Sequence, residues 1–538
     1  MNGKRIVSFS AIMALGFLTC VLGVLAASFH GTELAQAAAQ QSTYQLTIAR
    51  NRGDFYDCMG QKLTGRGEEA LAAVAPTVDA AARMNQLTSG EYQQRVMEAI
   101  SGGTPFLARV PLGSQSTQGV DVFAIPDRYE ENQPAANVLG YVDGRGNGAS
   151  GLEKVFQSVL HLDGQLQATY SVDAVNRVMG GVEREITDTR QEAQQGVKLT
   201  LDRRIQMTAE SACADVLESG AVVVMEIGTG EIRAMVSAPS LHPDDIAEDL
   251  ENPDSPLLNK ALSAYSVGSV FKLVSAAAAL ESGISPEYAY TCTGSIDVDG
   301  QHFKCFDGIA HGTVTMEEAI AESCNGYFVS LMQQVEPSDF LKMAEKLGFG
   351  QETVFTRGYS GESGVLPEEN SLLIPRALAN FSFGQGQLTA TPVQIAAMTA
   401  AIANGGTYTE PSLVQGVFSL SDGSFSYREP SGEKYQVMSE ETASKLGTYM
   451  KKAVEEGTGA SGKPEKMTAC AKTGTAQTGQ TDENGEEIVQ LWYTGYFPAE
   501  APRYAVTVLR ADRSGNGKEC AQVFKAIADE MESLGFLA

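Results

Sequence analysis

The residues best placed to do chemistry lie in Tyr265-Ser266-Val267-Gly268-Ser269-Val270-Phe271-Lys272, just ahead of the apolar run Leu273–Leu280. Gly268 permits a sharp entry, and Ser269 stands where a helix would begin. The run behind it reads as a helix buried on nearly every side. Residues three apart share a helix face, so Ser269 and Lys272 point the same way. A hydroxyl there has an amine within reach and the positive end of the helix dipole behind it. That is the arrangement of an activated serine nucleophile. It is also that of an ordinary N-cap serine. The spacing does not choose between them, since Ser431-Gly432-Glu433-Lys434 repeats it inside a polar loop.

Two further short signals bear on the choice. Ser323-Cys324-Asn325 follows a short helical stretch, so Ser323 and Asn325 are expected on a turn facing a cleft. Ser514-Gly515-Asn516 has the same pattern, and a plain turn is the alternative meaning. Lys472-Thr473-Gly474-Thr475 occurs once. A glycine inside a strand marks a bulge or a close approach by another group. At a sheet edge, such a strand could pair with an extended peptide. The five histidines are scattered, with no Cys/His cluster of metal-ligand spacing, so neither a metal nor a cofactor is expected. Cys324 reads as a small buried filler. Cys292 and Cys305 flank an expected hairpin, Ile296–Phe303, and either a disulfide or two free thiols would suit them.

The elements that must position these groups follow from composition and pattern. At 538 residues, two or three domains are expected. A formal charge of −27 argues against binding nucleic acid or an anionic surface through net charge. Lys4 and Arg5 precede Ile6–Phe29, an uncharged and mostly apolar stretch. It exceeds the roughly 20 residues that a bilayer crossing needs. The basic flank predicts a cytoplasmic N-terminus and an extracytoplasmic remainder. A signal peptide cut near Ala35-Gln36-Ala37 is the alternative. The expected division is therefore 1–5 cytoplasmic, 6–29 transmembrane anchor, 30–195 mixed scaffold domain and 196–538 catalytic domain.

In the scaffold, Ala35–Gln41 reads as a spacer, Tyr44–Ile48 as a strand, and Ala70–Met84 and Ser89–Ile100 as helices. After the boundary at Gln194-Gln195-Gly196, Asp202 is expected to cap a helix running to about Glu218. Ala221–Glu226 and Ile232–Ser237 read as a hairpin around Gly228-Thr229-Gly230. Met467–Thr475, Trp492–Phe497 and Tyr504–Arg510 supply three more strands. Strands from both ends of one domain around a helical middle predict an α+β fold, an α/β sandwich whose antiparallel five-stranded sheet is flanked by helices. Thr315 with Glu318, Thr391-Pro392 and Ser439 mark helix starts in that middle.

Taken in order, Ser-x-x-Lys, Ser-x-Asn and Lys-Thr-Gly closely resemble the signature set of penicillin-binding proteins and class A β-lactamases. The sequence resembles the class B penicillin-binding proteins, which are monofunctional transpeptidases. Arg52–Asp57, Ser150–Glu153, Thr200-Leu201-Asp202, Gly384–Leu388 and Trp492–Pro498 extend the likeness from the anchor to the C-terminal end. Val267 stands where the family often has proline, and Cys58-Met59 where it usually has Arg-Asn.

The resemblance implies a peptidoglycan D,D-transpeptidase. Ser269 would attack the carbonyl between the terminal D-alanines of a stem peptide, and Lys272 would take its proton. Ser323 and Lys472 would relay that proton to the departing D-alanine, while Asn325 holds the substrate amide. Thr473, Gly474 and Thr475 would bind the substrate, with the backbone N–H groups of Ser269 and Thr475 forming an oxyanion hole. It further implies an acceptor amine from a second stem peptide, inhibition by β-lactams, and docking to a polytopic lipid II glycosyltransferase. A D,D-carboxypeptidase or β-lactamase-like hydrolase on the same site is the alternative reading.

Overall fold

The computed structural model describes residues 3–179, 184–481, 485, 487–511 and 517–537, so the second Ser-x-Asn match at Ser514–Asn516 lies outside the described residues. The chain forms two compact units. One comprises residues 1–51, 67–127 and 162–192; the other comprises 52–66, 128–161 and 193–538.

The first unit opens with a helix over Gly3–Gln41. Within it Val7–Ala26 has a mean hydropathy of 2.3, long and apolar enough to cross a membrane. The helix continues through the alanine- and glutamine-rich stretch expected as a spacer, which fits the high helix propensity of both residues. A second departure lies at Ala70–Met84. Gly67–Val74 is a strand, and only Val78–Leu87 is helical. The alanines favour helix locally. Here the segment is the central strand between Phe106–Val110 and Val120–Asp127, and pairing on both sides overrides propensity. Pro76 follows at once, and Thr77 caps the helix by accepting from the Ala80 N–H.

The second unit is built on a five-stranded antiparallel sheet. Its order is Ile232–Ala238, Gly220–Glu226, Tyr504–Arg510, Glu487–Phe497 and Cys470–Thr481. The strands at its centre are near-continuously apolar because both faces are covered. Val222 and Val224 pack with Val506 and Val508 under the helices Arg203–Cys213 and Lys518–Ser533. Ala221, Val223 and Met225 alternate onto the other face, toward Pro392–Ala403. That helix is apolar all round and buried along its length. Its Thr399 hydroxyl lies 2.7 Å from Thr494, which lies 2.7 Å from Thr507, so the three buried hydroxyls satisfy one another. The helix after Asp202 ends at Cys213, short of the expected Glu218, although Asp202 caps it through the Arg204 N–H.

Arg52–Asp57 and Ser150–Glu153, two of the stretches that carried the resemblance, meet in this unit. Glu153 is wholly buried and accepts from Arg52 at 2.7 Å, Arg128 at 2.6 Å and the Tyr129 hydroxyl at 3.1 Å. Arg128 also reaches Asp54 at 3.0 Å. Removing Glu153 would take a carboxylate from two guanidinium groups, leaving Arg128 with Asp54 and Arg52 with Gln157 Oε1 at 2.8 Å. Glu153→Ala is expected to destabilise the unit by about 3–5 kcal/mol, read as an earlier midpoint in denaturant unfolding, while Glu153→Gln retains part of the loss.

Candidate active site

Gly268 has φ +64, a conformation that disfavours any side chain, and its N–H donates to Gly384 O at 2.8 Å. The turn that follows, Gly268–Phe271, is a 3₁₀ helix and runs straight into the α-helix Lys272–Glu281. Ser269 is therefore inside the first turn and is not the N-cap; Val267 holds that position. The reason is the glycine, which bends the chain one residue earlier than a capping serine would. Phe271 anchors the turn in a cluster with Phe340, Phe349 and Phe381, with ring centroids 5.7, 5.3 and 4.8 Å away.

Lys272 is completely buried, and its Nζ lies 2.9 Å from Ser269 Oγ. The same nitrogen is 2.7 Å from Ser323 O, 3.1 Å from Ser323 Oγ and 2.6 Å from Asn325 Oδ1. Burial pulls its pKa down from 10.5 to about 7, against a smaller upward pull from Cys324 and Cys305. Lys472, also fully buried, donates to Ser323 Oγ at 2.9 Å and to Thr473 O at 2.8 Å. Its pKa is driven well below the ordinary lysine value by burial and then by the charge on Lys272. Ser323 thus touches both amines. It adopts φ +57, a strained conformation for a non-glycine residue. Asn325 opens the helix Asn325–Met332, and its Nδ2 donates to Lys304 O at 2.8 Å.

Lys472, Thr473, Gly474 and Thr475 lie on Cys470–Thr481, the edge strand of the sheet. Gly474 faces Trp492 in the register, and a Cβ there would come within 2.9 Å of Val270 Cγ1. The close approach expected at this glycine is that of the turn bearing Ser269. Trp492 Nε1 ties the opposite end of the turn by donating to Ser266 O at 2.8 Å. Thr473 Oγ1 lies 2.9 Å from Thr458 Oγ1. Ser269, Ser323, Asn325, Thr473 and Thr475 are partly exposed, whereas both lysines are sealed beneath them. These hydroxyls and the amide are thus reachable from solvent and the amines are not. In the competing match Ser431-Gly432-Glu433-Lys434, Lys434 Nζ donates instead to Gly228 O at 2.6 Å.

One grouping escaped the sequence reading. Cys292, Cys305, His311 and Cys324 converge so that their donor atoms all lie within 4.8 Å of one another. The sulfurs of Cys292 and Cys305 are 3.6 Å apart, and all the cysteines are free thiols. Cys324 is buried, as expected of a filler, but it has three potential co-ligands around it.

The penicillin binding protein transpeptidase domain matches residues 220–529, more than half of the chain. The chain belongs to the penicillin-binding protein transpeptidase family. A peptidoglycan D,D-transpeptidase of Mycolicibacterium smegmatis, PbpA, is 30% identical over 405 residues, covering 71% of this chain and 78% of the relative. Stage V sporulation protein D of Bacillus subtilis is 30% identical over 385 residues, covering 69% of this chain and 58% of that protein. Among solved structures, the D,D-transpeptidase domain of a peptidoglycan glycosyltransferase from Eggerthella lenta aligns with a TM-score of 0.64 at 25% identity. It covers 91% of this chain and all of that one. Penicillin-binding protein 3 of Mycobacterium tuberculosis, complexed with ampicillin, shares the fold with a TM-score of 0.66 at 23% identity, covering 92% of this chain and 97% of that one.

Proposed function

We propose that this chain is a peptidoglycan D,D-transpeptidase acting through a Ser269 acyl-enzyme. The observation that carries the assignment of residues is Lys272, a fully buried amine with a pKa near 7 and only 2.9 Å from Ser269 Oγ. A neutral amine has two N–H donors and one lone pair. Ser323 O and Asn325 Oδ1, the two nearest acceptors, take the donors, and the lone pair is left for the Ser269 hydroxyl proton.

Ser269 Oγ adds to the carbonyl between the two terminal D-alanines as its proton passes to Lys272. The tetrahedral oxyanion forms against the backbone N–H groups of Ser269 and Thr475; one such donor is typically worth about a hundredfold or more in rate. Its collapse breaks the peptide bond. The departing D-alanine nitrogen takes a proton through Ser323, which both lysines contact. Asn325 and the edge strand at Thr473, Gly474 and Thr475 hold the donor peptide, with Lys472 behind them. The amine of a second stem peptide then attacks the ester, giving up a proton by the reverse route, and Ser269 is released with a new cross-link. A β-lactam ring presents the same carbonyl and leaves Ser269 acylated.

Purified protein is expected to form a long-lived adduct with fluorescent penicillin, and Ser269→Ala to form none. Rapid turnover of the adduct by water would overturn the transpeptidase reading in favour of a hydrolase. The apolar N-terminal helix supports single-pass anchoring in the cell membrane, with a cytoplasmic N-terminus and the catalytic unit outside. The family resemblance supports a polytopic lipid II glycosyltransferase as partner, which co-purification from solubilised membranes would test. Penicillin-binding protein 2 of Helicobacter pylori is itself known in complex with MreC.

A further inference from the structure

We propose that Thr458 is a positioning residue for the donor peptide, its hydroxyl turning that of Thr473 toward the peptide's terminal carboxylate. This role rests on the Ser269 acyl-enzyme reading. The helix Glu440–Glu455 leads into Gly457-Thr458-Gly459. Thr458 Oγ1 lies 2.9 Å from Thr473 Oγ1 and 3.2 Å from Ala321 O. The Thr458 N–H also donates to Ala321 O, at 3.0 Å. Ala321 closes the helix Met316–Ala321, two residues ahead of Ser323. One threonine therefore joins the strand bearing Lys472 and Thr473 to the segment bearing Ser323 and Asn325.

The backbone that carries Thr458 is itself anchored. The N–H groups of Gly457 and Gly459 both donate to Ala453 O, at 3.2 and 2.9 Å. A Cβ on Gly457 would stand 2.4 Å from Ala321 O, so the turn lies directly against the Ser323 segment. Gly459 O accepts from the Tyr493 hydroxyl at 2.8 Å, and Tyr493 faces Thr473 in the sheet register. The two hydroxyls are thus brought together from fixed positions, with Thr458 exposed and Thr473 partly so.

Counting protons shows what the pair can do. Each hydroxyl offers one proton and two acceptor positions, whereas an ionised carboxylate only accepts. Before the peptide arrives, Thr473 donates to Thr458, and Thr458 donates to Ala321 O. A carboxylate draws the Thr473 proton to itself. The Thr458 proton then rotates to Thr473 Oγ1, the nearer of its two acceptors, and Ala321 O keeps the Thr458 N–H. Both protons are used in either arrangement, and only hydroxyl rotations are needed. In the second, the Thr473 hydroxyl donates to an anion while accepting from a hydroxyl behind it, and each bond strengthens the other.

The test is a double-mutant cycle on the full-length chain in detergent, read as the rate constant for acylation by fluorescent penicillin. The carboxylate of that probe stands for the donor peptide's. Thr458→Val keeps the side-chain shape and removes the hydroxyl. It should slow acylation about three- to tenfold, the worth of one neutral hydrogen bond, and Thr458→Ser should restore the parental rate. On a Thr473→Val background the same substitution should cost nothing, because the hydroxyl it serves is gone. A role confined to holding the turn would cost as much in either background. That outcome, or a Thr458→Val chain acylating at the parental rate, would overturn the proposal. Thr458→Ala carries the same comparison should the valine variant not fold. An unaltered chain that forms no adduct at all would instead sink the transpeptidase reading, and this role with it.

Discussion

Lys272→Ala is expected to slow acylation of Ser269 by fluorescent penicillin by about 100- to 10,000-fold, the usual worth of a positioned general base. The loss should fall on the acylation rate constant. Lys272 Nζ lies 2.9 Å from Ser269 Oγ and also holds Ser323 and Asn325, so the larger end of the range is favoured. Lys434→Ala removes the lysine of the competing Ser-x-x-Lys match, whose amine is spent on Gly228 O, and should leave the rate unchanged. Equal effects from the two substitutions would sink the assignment.

The same amine sets the pH dependence. Its base form predominates above its pKa of about 7, so acylation should rise with pH through that value and level off above it. Two units below, about one molecule in a hundred carries the free base, and the rate should be roughly a hundredfold lower. A flat profile across this interval would exclude Lys272 as the base. Stability follows the same shift. The folded pKa of about 7 lies below the ordinary 10.5, so the unfolded chain binds more protons between those values. Stability owed to this group is then fully present above 10.5 and is lost as pH falls to about 7. Lys272→Met should therefore gain stability relative to the parent over that descent and hold the gain below it, which denaturant unfolding at several pH values would measure.

The sequence made the sheet legible because its central strands are covered on both faces and punctuated by turns such as Gly228-Thr229-Gly230. Helix starts were legible where capping is local: Thr315 with Glu318 forms the reciprocal bonds that the spacing implies, and Thr391 caps a helix with Pro392 at its first position. The strand at Gly67–Val74 was not, because alanine favours helix and only pairing with two distant strands reverses the preference. The triad of short motifs was legible as a set, although the strained φ of Ser323 that lets it touch both lysines leaves no mark in residue type. The convergence of Cys292, Cys305, His311 and Cys324 was hidden for a related reason. Cys292 and Cys305 are 13 residues apart, and Cys305 and Cys324 are 19 apart, without the close cysteine pairs that mark a zinc motif.

Gly268→Ala is expected to cost both stability and rate, and a comparison with Gly283→Ala separates the two. Both glycines have positive φ, +64 and +80, at opposite ends of the same helical run. An alanine in that region costs about 1–2 kcal/mol, and both variants should lose at least that in denaturant unfolding. At Gly283 the added methyl meets nothing within 4 Å, so the penalty ends there. At Gly268 the methyl would stand 2.4 Å from Thr475 O, so the Ser269 turn and the edge strand must move apart. A displacement near 1 Å at a reacting centre costs about a hundredfold in rate. Gly268→Ala should therefore acylate about 100-fold more slowly, while Gly283→Ala keeps the parental rate in its folded fraction. If both variants acylate at the parental rate, the contact between Gly268 and Thr475 does not align the site. The consequence reaches beyond one residue: Gly268 is where the turn bearing Ser269 closes on the strand bearing Lys472, so Ser269 and Lys472 are registered by a contact that tolerates no side chain.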